Sequence, residues 1–221
     1  MEHEINEDTA FDPKESMKHQ GAFVAFEGVE GSGKSTQIEL LAEALRAAGR
    51  VVRVTREPGG SGLGIEIRRL AMHFSEPAPA PMAELLLYLA DRAQHLHEVI
   101  RPALQAGEIV LCDRFSASTI VYQGFARGLD IEFVSRLDEL IRGGLWPTCT
   151  VVLDCPVTTG LERARDRDRF HDEPAAFHER VRQGFLLLAR NAPERHIVVD
   201  ATASITETHR RVLAGVVAHL T

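Results

Sequence analysis

Residues 28–35 read Gly28-Val-Glu-Gly-Ser-Gly33-Lys34-Ser35, and the apolar run AFVAFE (22–27) leads straight into them. The spacing is G-x-x-x-x-G-K-[ST]. Glycines there let backbone N–H groups converge on phosphate oxygens, and the helix that follows adds the positive end of its dipole. Behind Ser35, Ile38, Leu41 and Leu45 recur at helical spacing, and Gly49 supplies a stop. Strand, glycine loop and amphipathic helix in that order predict a nucleoside triphosphate site. Gly28, Val29, Glu30, Gly31, Ser32, Gly33, Lys34, Ser35 and Thr36 would wrap the phosphates of ATP. Lys34 would reach the β- and γ-phosphates, and Ser35 would ligate Mg²⁺.

Outward from the loop, short apolar runs alternate with helical patterns. The runs are 22–27, 51–55, 108–113, 148–155 and 196–200. Between them, Leu85, Leu86, Leu89, Ala93 and Leu96 form a stripe over 82–100 that is expected to end before Pro102. Further helices are predicted at about 131–142, 156–166, 175–190 and 204–219. This pattern predicts an α/β fold of three αβα layers around a five-stranded parallel sheet, the architecture of P-loop NTPases, with the strands buried on both faces. Ligands of such sheets sit at the carboxyl ends of the strands. There the sequence places GVEGSGKST, REPGG, DRF and a run of arginines.

Composition narrows the partners. The 221 residues carry 25 basic and 32 acidic side chains, a net charge of −7, which disfavours a nucleic-acid binder. No apolar run reaches 18 residues, so no membrane helix is expected. Residues 1–20 are polar, lack the apolar core of a signal peptide and read as a flexible extension. The three cysteines show no CxxC spacing and read as small buried hydrophobes in a reducing, cytoplasmic setting.

Arg56 follows the second strand and Arg114 the third. Two guanidiniums on one sheet edge suit bidentate capture of a second phosphate. A guanine motif N-K-x-D is absent, and IVLCDRF carries one acid, Asp113, where an ATPase would carry two. Asp113 is the second candidate Mg²⁺ group. From these residues alone another nucleoside monophosphate or deoxynucleoside kinase, or a regulatory ATP-binding protein, stays open.

FEGVEGSGKST, TREPGG, LLLYLADRAQH, DRFSASTIVYQG and the arginine-rich segment running into FHERVRQGF together resemble thymidylate kinases of the bacterial type, from about Ala22 to the C-terminus. The resemblance implies transfer of the ATP γ-phosphate to dTMP, giving dTDP for dTTP synthesis. It also implies a homodimer, and residues 21–221 as one nucleoside monophosphate kinase domain. Arg56 and Arg114 would hold the dTMP phosphate, and Pro58 of REPGG would line the dTMP site beside Arg56. Arg92 would lie beside base and phosphate, Tyr88 would stack on thymine, Ser118 and Thr119 would meet the base edge, and Tyr122 would crowd the 2′ position. Glu30 would accept from the 3′-hydroxyl. Because position 31 is Gly rather than a basic residue, the resemblance implies a catalytic arginine from a lid at about 163–175. Arg163, Arg167 and Arg169 are the candidates, alongside Lys34. The lid is about three residues shorter than is usual in the family, which leaves the choice among them open.

Overall fold

The computed structural model describes residues 21–73, 78–164 and 169–220. Five strands, β1 (Ala22–Glu27), β2 (Val52–Arg56), β3 (Ile109–Asp113), β4 (Cys149–Asp154) and β5 (His196–Asp200), form one sheet in the order β2-β3-β1-β4-β5. All four pairings are parallel. Successive residues of β1 point to opposite faces. Val24 and Phe26 join a core with Ile38 and Leu41 of α1 (Lys34–Ala47) and Val212 and Val216 of α9 (Ile205–Leu220). Phe23 and Ala25 join a second core with Leu96, Ile100 and Ala103.

Helix α1 starts at Gly33, whose φ of 94° opens the turn into the helix, and Gly49 at φ 80° closes it. Helix α6 (Ile131–Arg142) is capped by Asp130, which accepts from the Phe133 N–H at 2.8 Å. The remaining helices are α2 (Gly62–His73), α3 (Pro81–His95), α4 (Arg101–Gln105), α5 (Ser116–Thr119), α7 (Val157–Arg163) and α8 (Ala175–Asn191).

Three details differ from the sequence expectation. The helix over 82–100 does not stop before Pro102: a π-turn at Leu96–Ile100 joins α3 to α4, which carries Pro102 in its first turn. The missing proline N–H is harmless at that position. Strands β2 and β5 lie at the two sheet edges and are partly exposed, so neither is buried on both faces. Helix α2 was hidden by its glycine-rich start, SGLG, which reads as loop. No described helix is long and apolar enough to cross a membrane. The three cysteines are free and buried.

Candidate active site

In this strand order the connections from β1 and β3 leave in opposite directions, opening a crevice beyond their carboxyl ends. A cleft of about 1010 Å³ occupies that position. Its wall contains Glu30, Gly31, Ser32, Gly33, Lys34, Ser35 and Thr36 from the loop after β1. It also contains Arg56, Pro58, Tyr88, Arg92, Asp113, Arg114, Ser118, Thr119, Tyr122 and Arg163. The loop residues Gly28 and Val29 act from behind it, through their carbonyls.

Lys34 folds back over its own loop, Nζ donating to Val29 O at 3.0 Å and Gly28 O at 3.3 Å. The Arg114 guanidinium donates to the same Gly28 carbonyl at 3.1 Å. Burial, followed by the neighbouring Arg114 charge, pushes the Lys34 ammonium down to about 8. Two cations converging on one carbonyl make a site that favours an anion. Gly31, at φ 64°, has no room for a side chain: a Cβ would run into the Gly160 carbonyl at α7.

The Ser35 hydroxyl donates to Asp113 Oδ2 at 3.2 Å, while buried Asp113 Oδ1 has no hydrogen-bond partner among the described residues. A hydroxyl and a carboxylate with a spare oxygen at the phosphate loop are hard donors that fit Mg²⁺, which completes its shell with phosphate oxygens and water. Among the described residues no group of three or more His, Cys, Asp or Glu could cage a metal without such help.

The segment after β3 is braced by Glu27, fully buried at the end of β1. Its carboxylate accepts from the Phe115 N–H at 2.9 Å, the Ser118 N–H at 3.1 Å and the Ser118 hydroxyl at 2.6 Å. Burial raises its pKa, against the pull of Arg114 and these hydrogen bonds. Arg114 also donates to Ser118 Oγ at 3.2 Å and lies over the Tyr122 ring at 5.1 Å. Burial likewise pushes the Tyr122 phenol up to about 12, so it stays neutral. Arg56 is exposed at the cleft and has no ion pair among the described residues.

On α3, Tyr88 and Arg92 stand one turn apart and both face the cleft. Arg92 is almost wholly buried and gripped by Glu57, Asp138 and Thr119. Below them Asp91 accepts from the Gly59 N–H at 3.0 Å, and burial, followed by Glu57, pushes its carboxyl up to about 6. His95, also on this stripe, bridges Glu57 Oε1 at 3.0 Å and Thr55 Oγ1 at 2.7 Å.

The arginine segment divides. Arg163, at the end of α7, reaches the cleft and donates to Ala201 O at 2.9 Å. Arg169 is not in the cleft wall: its guanidinium is held by Glu84 at 2.6 Å and by the Ala71 carbonyl. Arg167 lies outside the described residues, as do residues 1–20.

The sequence reading missed Glu27, although an acid ending an apolar strand was a signal. It also missed the wall at Ala201, Ala203, Ser204 and Ile205 after β5, where Gln37 of α1 donates to Ile205 O at 3.2 Å. Nothing in the sequence marked Asp138.

The thymidylate kinase family profile matches residues 26–212. The chain belongs to the thymidylate kinase family. A thymidylate kinase from Geotalea uraniireducens is 47% identical over 209 residues, covering 90% of this chain and 98% of the relative. One from Desulfovibrio desulfuricans is 51% identical over 190 residues, 81% and 88% of the two chains. The crystal structure of thymidylate kinase from Ehrlichia chaffeensis superposes with a TM-score of 0.73 at 34% identity, covering 89% of this chain and 98% of that one. In thymidylate kinase terms, the cleft joins the phosphate loop to the REPGG and DRF segments without a break.

Proposed function

We propose that this chain transfers the γ-phosphoryl group of ATP to dTMP, giving dTDP and ADP, for dTTP synthesis. The observation that carries this reading is the convergence of Lys34 and Ser35 with Arg56 and Arg114 in one cleft, above adjacent strand ends. That arrangement suits two facing phosphates.

The acceptor phosphate has a second pKa near 6, so it is largely a dianion at neutral pH and needs no general base. Catalysis then consists of alignment and charge neutralisation. Lys34 swings from its own loop carbonyls to the β- and γ-phosphates, Arg56 and Arg114 hold the acceptor phosphate, and Tyr88, Arg92, Ser118 and Thr119 hold the base. Tyr122 crowds the 2′ position, and Glu30 takes the 3′-hydroxyl. Ser35 and Asp113 would hold Mg²⁺, which when bound would neutralise phosphate charge. Within a lid at about 163–175, Arg163 is the favoured catalytic arginine because it already faces the cleft. Arg169 is committed to Glu84 and serves structure instead.

A homodimer fits the same reading. Neighbouring helices α2, α3 and α6 leave Leu63, Ile65, Leu86, Phe133 and Leu140 exposed, a surface that a second copy would cover. The free buried cysteines suit the cytoplasm. The deciding experiment measures ADP release from ATP with and without dTMP: release should depend on dTMP, and acceptor-independent release overturns the reading. Light scattering should give twice 24.4 kDa.

A further inference from the structure

Arg92 offers five N–H donors in a fixed plane. Nε and Nη2 both lie 2.8 Å from Glu57 Oε2. Nη1 donates to Asp138 Oδ1 at 2.6 Å and to Thr119 Oγ1 at 2.9 Å. Beyond that ion pair no further partner of Nη2 is found among the described residues, and Arg92 lines the cleft. Neither clamp stands alone. The other oxygen of Glu57 is held by His95 Nδ1, whose Nε2 is fixed by Thr55. Asp138 comes from α6, is fully buried, and is held in turn by Arg142 Nε at 2.6 Å and the Ser116 hydroxyl at 3.0 Å. Arg142 stacks on Trp146 at 3.6 Å.

We propose that Asp138 and His95, neither of which lines the cleft, are positioning residues for selection of the acceptor base. They hold Arg92, directly and through Glu57, so that its Nη2 side meets a base carbonyl. The inference rests on the dTMP reading above. A carbonyl at that place accepts the hydrogen bond, whereas the amino group of a cytosine would set donor against donor and leave both unsatisfied. Selection of this kind needs a guanidinium that cannot turn. Thr119 is aligned by the same contact: its oxygen accepts from Arg92, which leaves the hydroxyl hydrogen and one lone pair for the base.

The test compares His95→Phe, His95→Gln and Asp138→Asn with the unaltered chain, measuring kcat and KM for dTMP and dCMP and KM for ATP. His95→Phe and Asp138→Asn should raise KM for dTMP by about tenfold, the loss expected when one good hydrogen bond is misaligned. The dTMP-to-dCMP preference should fall by a similar factor while KM for ATP holds. His95→Gln, which can still donate to Glu57 and accept from Thr55, should restore most of the preference. A merely structural role would lower kcat for both acceptors together and leave their ratio alone. If Asp138→Asn does not fold, Asp138→Asn with Arg142→Met removes the excess buried charge and carries the same expectation. Folded variants that keep the parental KM and preference overturn the proposal. An unaltered chain with no preference for dTMP instead overturns the reading on which it rests.

Discussion

The phosphate loop and the side of the cleft proposed to take the acceptor base are built by opposite means. In the loop, Lys34 bonds carbonyls five and six residues back, and glycine conformations shape the backbone. On the acceptor side, Arg92 is held by side chains 27 to 46 residues away, from three different segments. A local backbone motif binds what all triphosphates share. On the proposed reading, selection of one particular base rests on long-range side-chain clamps.

If this division holds, Lys34→Ala should lower kcat by about 100-fold or more, as loss of a key electrostatic stabiliser does, and leave the melting temperature nearly unchanged. Near-normal turnover would remove the loop from the chemistry. On the acceptor side, kcat/KM for dUMP should fall below that for dTMP by about 10- to 200-fold, because on the proposed reading the thymine methyl would fill an apolar place beside Tyr88. UMP, with a 2′-hydroxyl against Tyr122, should be poorer again. Equal use of UMP and dTMP would dissolve the distinction between a shared and a selective half.

Gly60 lies inside the acceptor half. A Cβ there would meet the His95 ring and lie 2.6 Å from the Arg56 carbonyl. Gly60→Ala should therefore destabilise the fold by about 1–3 kcal/mol, as overpacking does. It should also raise KM for dTMP more than KM for ATP, and an equal rise in both would argue against separate halves.

The last effect appears only against pH and concerns Asp91. Its carboxyl is pushed up to about 6 in the fold from 3.8, so the folded chain holds the proton more tightly. That contribution to stability is complete below pH 3.8 and is lost as pH rises through 6. Asp91→Asn can still accept from Gly59 and carries no charge. Near pH 8 it should gain up to about 3 kcal/mol, the whole of that linkage, and the gain should vanish near pH 4. A constant offset across that range would mean that the burial of Asp91 is not felt as charge.

The sequence showed most clearly what is local. All five strands were legible within two residues at either end, because apolar runs and glycine punctuation are properties of neighbouring residues. The phosphate loop was legible for the same reason. Arg56 and Arg114 could be placed because their strands could. Helix α2 was lost because its first turn has the composition of a loop, and the continuation of α3 through Pro102 because a π-turn has no sequence period. Arg163 and Arg169 could not be told apart in a charged run; only the fold shows Glu84 holding one of them. Asp138 and His95 were invisible because their meaning arises from partners brought together by the sheet.

Arg114 shows how backbone and side chain can be separated by experiment. Its φ is 70°, the left-handed region, and it is the one described residue other than glycine found there. The turn is pinned by the Arg114 N–H on Phe26 O at 2.9 Å and by the Cys112 thiol on the Arg114 carbonyl at 3.0 Å. Holding a Cβ in that conformation costs about 1–2 kcal/mol. Alanine and glycine at position 114 should therefore be equally inert toward dTMP, since both lack the guanidinium, yet the glycine chain should be the sturdier by about that amount. The difference between two dead enzymes would then measure the tension that the living one keeps at Arg114, the tension that on the proposed reading aims a charge at its substrate.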